Sequence, residues 1–205
     1  MRTTRRALLA SGLGAGVSGC ALLSTPDPVQ LFRFGQSAGA GARLVSGAPR
    51  VTLLYTGTTL PRAAAGDRIL TVSGADVSYI GGSRWAGPAL ILFEEAVLRA
   101  FESGPVRLLR RGSAARADGV LRVEVSAFEA QYATPDAAPT VVVGARALFT
   151  PAGVAAGTLH AAFESRRPAS TNRVSAIAAA FDEATAEVLA RTAAWVAGVA
   201  RPVAA

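Results

Sequence analysis

Three successive stretches alternate apolar and polar residues with a period of two, and the turns between them are short. Residues 119–132 place Leu121, Val123, Val125 and Ala127 on one face and Arg122, Glu124 and Ser126 on the other. Residues 140–149 place Val141, Val143, Ala145, Ala147 and Phe149 together, and residues 157–167 place Leu159, Ala161 and Phe163 opposite Thr158, His160, Ala162, Glu164 and Arg166. Turns at 134–139 and around Pro151-Ala152-Gly153 leave no room for the crossover that parallel pairing requires, so these three strands form an antiparallel meander with one buried face. In the first strand Phe128, Ala130 and Tyr132 carry the apolar set on the opposite parity, which predicts a bulge or twist near Ala127.

A sheet with one apolar face needs a cover. Residues 89–102 carry Leu90, Phe93, Val97 and Phe101 at helical spacing beside Ile91, Leu98 and Ala100, with Pro88 tolerated in the first turn and Gly104-Pro105 closing the helix. A last helix starts near Ser170, Thr171 or Asn172, any of which can cap, and runs to about Val199. Its positions Val174, Ile177, Phe181, Ala184, Val188, Trp195 and Val199 make a stripe wide enough to cover a sheet, and its many alanines also suit close helix pairing. Shorter strands are expected at 29–34, 51–55, 68–73, 76–80 and 106–109, with 68–80 a hairpin that Gly81-Gly82 ends, and residues 36–49 and 57–67 as connections. The fold class is α+β: a two-layer domain over 29–205 with a mainly antiparallel sheet, two helices packed on one face and an outer face that is partly polar. The 51% apolar content and 17% charged residues support one real core and exclude disorder.

The N-terminus reads as an address and an anchor. Arg2, Arg5 and Arg6 precede an apolar stretch, Ala7 to Val17, that is too short to span a bilayer and has the form of an export signal over residues 1–19. Thr4-Arg5-Arg6-Ala7-Leu8-Leu9 fits a twin-arginine route as well as ordinary Sec export. The chain's one cysteine, Cys20, ends Val17-Ser18-Gly19-Cys20, the aliphatic-small-small-Cys pattern of a bacterial lipobox, so Cys20 is the expected lipidation site and first mature residue. Each buried CH₂ contributes about 0.8 kcal/mol, so two or three acyl chains anchor stably where one holds marginally. Ala21 follows Cys20 where an Asp would favour inner-membrane retention, which points to the outer membrane. The tether over residues 20–28 places eight residues after Cys20, reaching at most about 29 Å. Removing the signal lowers the formal net charge from +7 to +4.

Residues that carry chemistry are scarce. One cysteine and one histidine supply neither a disulfide nor a zinc ligand set, and His160 lies on the outward parity of its strand with no nucleophile set around it. Glu94-Glu95 and Asp182-Glu183 are adjacent in helices, where neighbours diverge by about 100°, and read as solvated faces. Gly12 to Gly16 lies in the signal with no strand before it, and without a single Lys no phosphate-binding P-loop can be built. All 21 basic residues are Arg in an Ala-rich chain, which reads as coding bias, so the pI near 11.1 overstates any case for nucleic acid. Arg107, Arg110, Arg111 and Arg116 gather in one connection and suit a solvated loop, acidic headgroups or an acidic partner. No enzyme activity, cofactor or metal is expected.

Arg68-Ile69 opening the hairpin, Tyr79 near its end and Arg84-Trp85-Ala86-Gly87-Pro88 leading into the helix, set between a lipobox cysteine and a final Ala-rich helix, resemble the ABC-type transport auxiliary lipoproteins, the PqiC-like family associated with MCE-domain lipid transport systems. The resemblance implies a non-enzymatic, periplasm-facing lipoprotein that accompanies an MCE-domain protein and, through it, an ABC permease and ATPase. It implies attachment to the membrane through acyl chains on Cys20. Trp85 then reads as an anchor between hairpin and helix, and Arg84 as a local pair or a partner contact. A periplasmic lipid-binding carrier is the other function these features allow, and the Ala-rich last helix permits a homo-oligomer.

Overall fold

The computed structural model describes residues 28–39, 51–153 and 157–200. A strand forms at each expected place, β1 shorter and β2 and β4 longer than expected: β1 (Gln30–Phe32), β2 (Val51–Thr59), β3 (Arg68–Ser73) and β4 (Asp76–Trp85) precede helix α1 (Ala89–Glu102). β5 (Val106–Leu109), the meander β6 (Gly119–Gln131), β7 (Thr140–Pro151) and β8 (Leu159–Pro168), and helix α2 (Val174–Val199) follow. The architecture is α+β, with one sheet of eight strands and two helices among the described residues.

The sheet is mixed. Its longest ladders are antiparallel, β6 with β7 and β7 with β8, but four of its seven pairings are parallel: β1 with β4, β2 with β5, and both β2 and β3 with β6. β6 is long enough for one edge to serve two neighbours. β2 pairs with it from Gly119 to Glu124 and β3 at Ala130 and Gln131, while β7 runs along the whole of the other edge. The sheet therefore forks at β6, and the β3–β4 hairpin with α1 makes up the crossover that brings β5 in parallel to β2. The β6–β7 register slips between Val125 and Ala127, the expected bulge, and returns Phe128 and Ala130 to the buried side.

The hairpin corrects one expectation. Gly81-Gly82 does not end β4, which continues to Trp85. Between Arg68 and Leu70 on β3 the partner advances from Tyr79 to Arg84, and Gly82 takes a φ of +63° within that irregular stretch. The extra residues are absorbed as a bulge, so the strand ends only where the Trp85 N–H donates to Asp67 O at 2.7 Å. β2 likewise runs on to Thr59, four residues past its expected end.

α1 packs over β2 and β5, α2 over β7 and β8, and both helices lie against the buried face. Within α1 the buried stripe is Ala89, Leu92, Phe93, Ala96, Val97, Ala100 and Phe101, so Leu92 and Ala96 take the places expected of Leu90 and Ile91. At the core the rings of Phe34, Trp85, Phe128 and Phe181 pack tilted or edge-on with centroids 4.7–6.1 Å apart, Trp85 being edge-on to both Phe34 and Phe181. Leu159 keeps the inward parity but is exposed at the start of the edge strand β8. α2 begins after Arg173 without a side-chain cap, and Asn172 Oδ1 instead accepts from the Tyr132 hydroxyl at 2.9 Å.

Candidate functional site

β5 covers only part of β2. Its pairing runs from Val51 to Leu54, after which the chain turns away at Arg110, so the edge of Tyr55–Thr59 opposite β6 has no neighbouring strand among the described residues. Side chains satisfy that edge. Arg111 Nη2 donates to Thr56 O at 2.5 Å, and the Thr58 N–H donates to Glu94 Oε1 at 3.1 Å. Between them Gly57 adopts a φ of +111°, where the register of β2 against β6 slips by one residue. A side chain at Gly57 would be strained there and would approach Glu94 Oε1 at 3.3 Å. Behind the bulge the hydroxyls of Tyr55 and Thr58 hydrogen-bond to each other in the interior. Burial pushes the Tyr55 phenol well above its ordinary pKa; the Thr58 hydrogen bond opposes that shift and the Glu94 charge adds to it.

In front of this edge, between β2 and α1, lies an open cleft of about 570 Å³. Ile91, 47% exposed, and Leu98 give it an apolar wall, while Arg110 and Arg111 form its cationic lip. Leu98 and Arg110 also line a second hollow of about 290 Å³ with Arg107 and Glu102. Three of the four arginines in the basic connection therefore line one surface, and Arg116 is not among its lining residues.

The residues singled out by the sequence are dispersed. Cys20 lies outside the described residues. Trp85 is 2% exposed in the aromatic core, whereas Arg84 points the other way and pairs with Asp67 at 2.9 Å, both about half exposed. Such a surface pair contributes little to stability. Arg68 lies over the Tyr79 ring at 3.9 Å, and the Tyr79 hydroxyl donates to Ala63 O at 3.1 Å, which fastens the connection before β3. His160 is exposed on the outer face opposite Leu148.

Two carboxylates expected to be merely solvated hold the chain in place. Glu94 fastens β2, and Asp182 takes the Gln36 N–H at 2.7 Å and the Ser37 hydroxyl at 2.5 Å. Their neighbours Glu95 and Glu183 are exposed as expected. The available signal was local: Glu94 and Asp182 each directly follow the fully buried Phe of their helix, Phe93 and Phe181, and so sit at the border of the apolar stripe. Among the described residues no three His, Cys, Asp or Glu side chains gather as a metal site, and no helix is long and apolar enough to cross a membrane.

The forked mixed sheet with two helices on one face defines an α+β class that solved structures share. A crystal structure of a Xanthomonas campestris protein, described under family DUF330, matches with a TM-score of 0.66 and 24% identity, covering 82% of this chain and 94% of that one. A second, described only as an uncharacterized protein, matches with a TM-score of 0.62 and 13% identity over 82% of this chain and 99% of that one. The chain thus has the fold of a DUF330 protein. No protein-family model matches the sequence, and no curated protein matches it significantly.

Proposed function

We propose that this chain is a lipid-anchored, periplasm-facing auxiliary subunit of an MCE-type ABC transport system for lipids or hydrophobic compounds, with no catalysis of its own. The observation that carries the reading is Val17-Ser18-Gly19-Cys20 with β1 beginning ten residues after the cysteine, so that an acylated Cys20 holds the domain close to a membrane. The likeness to the DUF330 fold and the Arg84-Trp85-Ala86-Gly87-Pro88 segment support it. An MCE-domain protein is the direct partner in this reading, with permease and ATPase reached through it, and the outer membrane is the favoured site.

Envelope fractionation with intact-mass analysis tests both halves. Wild-type protein carries the mass of acyl chains and sediments with membranes, Cys20→Ala is soluble and unacylated, and crosslinking of the wild type in membranes yields an MCE-domain protein. A soluble, unacylated wild type overturns the anchor, and crosslinked membranes without an MCE-domain adduct overturn the partnership.

A further inference from the structure

We propose that the edge of β2 beside the cleft, which no strand among the described residues covers, receives an extended acidic peptide segment of a partner protein, which adds as a strand in line with β5. The backbone presents what such a segment needs. Thr56 C=O and Thr58 N–H, an acceptor and a donor two residues apart, face the open side, and their present partners are the side chains of Arg111 and Glu94. An uncovered strand edge is a template for another strand, and folds usually block it with a helix, a proline or a short strand. Here the stand-ins are two long side chains, Arg111 exposed and Glu94 half-buried, with which an added strand competes for Thr56 C=O and Thr58 N–H.

The surroundings favour a peptide with alternating character. Along β5 and beyond it, Arg107 and Arg110 are exposed, and their side chains make no hydrogen bond or ion pair among the described residues. Together with Arg111, once released, they place three guanidinium groups along the cleft and the hollow that adjoins it. On the α1 side Ile91 and Leu98 offer contacts to apolar residues, while Glu94, Glu95 and Glu102 direct the acidic residues of the segment toward the arginines. Edge addition draws affinity from main-chain hydrogen bonds and specificity from alternate side chains. A ligand held only by the lip would need neither the bulge at Gly57 nor the uncovered backbone groups.

Display of random ten-residue peptides against the full-length protein in detergent, followed by fluorescence anisotropy on synthetic versions of the selected sequences, tests the proposal. Selected peptides combine Asp or Glu with apolar residues, and Arg110→Glu or Ile91→Asp weakens them by about tenfold or more. Arg116→Glu changes nothing. N-methylation of a single peptide bond in the bound segment abolishes binding, and Arg111→Ala strengthens it by removing a competitor for Thr56 O. Failure to select peptides, or binding indifferent to Arg110→Glu and to N-methylation, overturns the proposal. So does a cleft that takes phosphatidylglycerol micelles through the same residues while rejecting every peptide. None of these outcomes depends on acylation of Cys20, so they are separable from the test of membrane anchoring.

Discussion

The Ser37 hydroxyl donates to Asp182 Oδ2 at 2.5 Å across 145 residues of sequence, while the Gln36 N–H takes Oδ1 at 2.7 Å. This carboxylate ties the segment after β1 to α2. On the other side Arg99 of α1 donates through Nε to Gly35 O at 3.1 Å, so the segment is strapped to both helices. In the proposed anchored protein this strap lies directly after β1, the first element that the tether reaches.

Asp182→Ala removes the acceptor of these bonds and leaves Gln36 N–H to water. Hydrogen bonds to charged groups contribute roughly 1.5–3 kcal/mol, and the exposure of this site places the loss near the low end. Urea unfolding should show a lower midpoint with an unchanged slope, and limited proteolysis should cut sooner near residues 36–39. Glu183→Ala, one residue along and exposed, should do neither.

Gly35→Ala should destabilise more than an ordinary loop substitution. Gly35 has a φ of +76°, and a Cβ there would lie 2.5 Å from Ala96 Cβ on a rigid, buried helix face. Strain and displacement together cost about 1–3 kcal/mol, to be read as a lower thermal midpoint. Ala96→Gly in the same chain should recover part of that loss, because it clears the clash but not the strained φ.

Trp85→Ala empties the centre of the aromatic core, where the indole meets Phe34 and Phe181 edge-on at 4.9 and 5.2 Å. The expected cost is about 3–5 kcal/mol in chemical denaturation. Arg84→Ala, its neighbour on the exposed face, should cost about 0–1 kcal/mol, because its partner Asp67 is also in solvent.

Acidification should weaken the contact between β8 and α2. The Ser165 hydroxyl, and secondarily Arg167, hold the Glu187 carboxyl below its ordinary pKa against the opposing effect of burial. A carboxylate held lower in the folded state than in the unfolded chain adds stability above the unfolded pKa, and that stability is lost as pH falls through the folded one. Glu187→Gln should therefore unfold with a smaller drop in stability between neutral and strongly acidic pH than the wild type, measured by urea titrations across that range.

Local periodicity located the elements, although it ended β2 and β4 too early. Residues 89–102 and 106–109 form the expected helix and strand to the residue, and the parity switch at Ala127 is a true bulge, because side-chain alternation and helical spacing are properties of neighbours along the chain. Gly81-Gly82 misled because glycine permits both a turn and a bulge, and only pairing with Arg68 decides between them.

What the sequence determined by itself is the α+β class and the buried faces of the long strands β6 and β7. Only the tertiary structure decided that β2 and β3 share one edge of β6, that β5 stops short and leaves Thr56 and Thr58 to Arg111 and Glu94, and that Asp182 holds Ser37. The physical reason is range. Burial patterns follow from spacings of two to four residues, whereas strand order and the partners of a border carboxylate depend on groups brought together across tens of residues, for which a single chain carries no periodic signal.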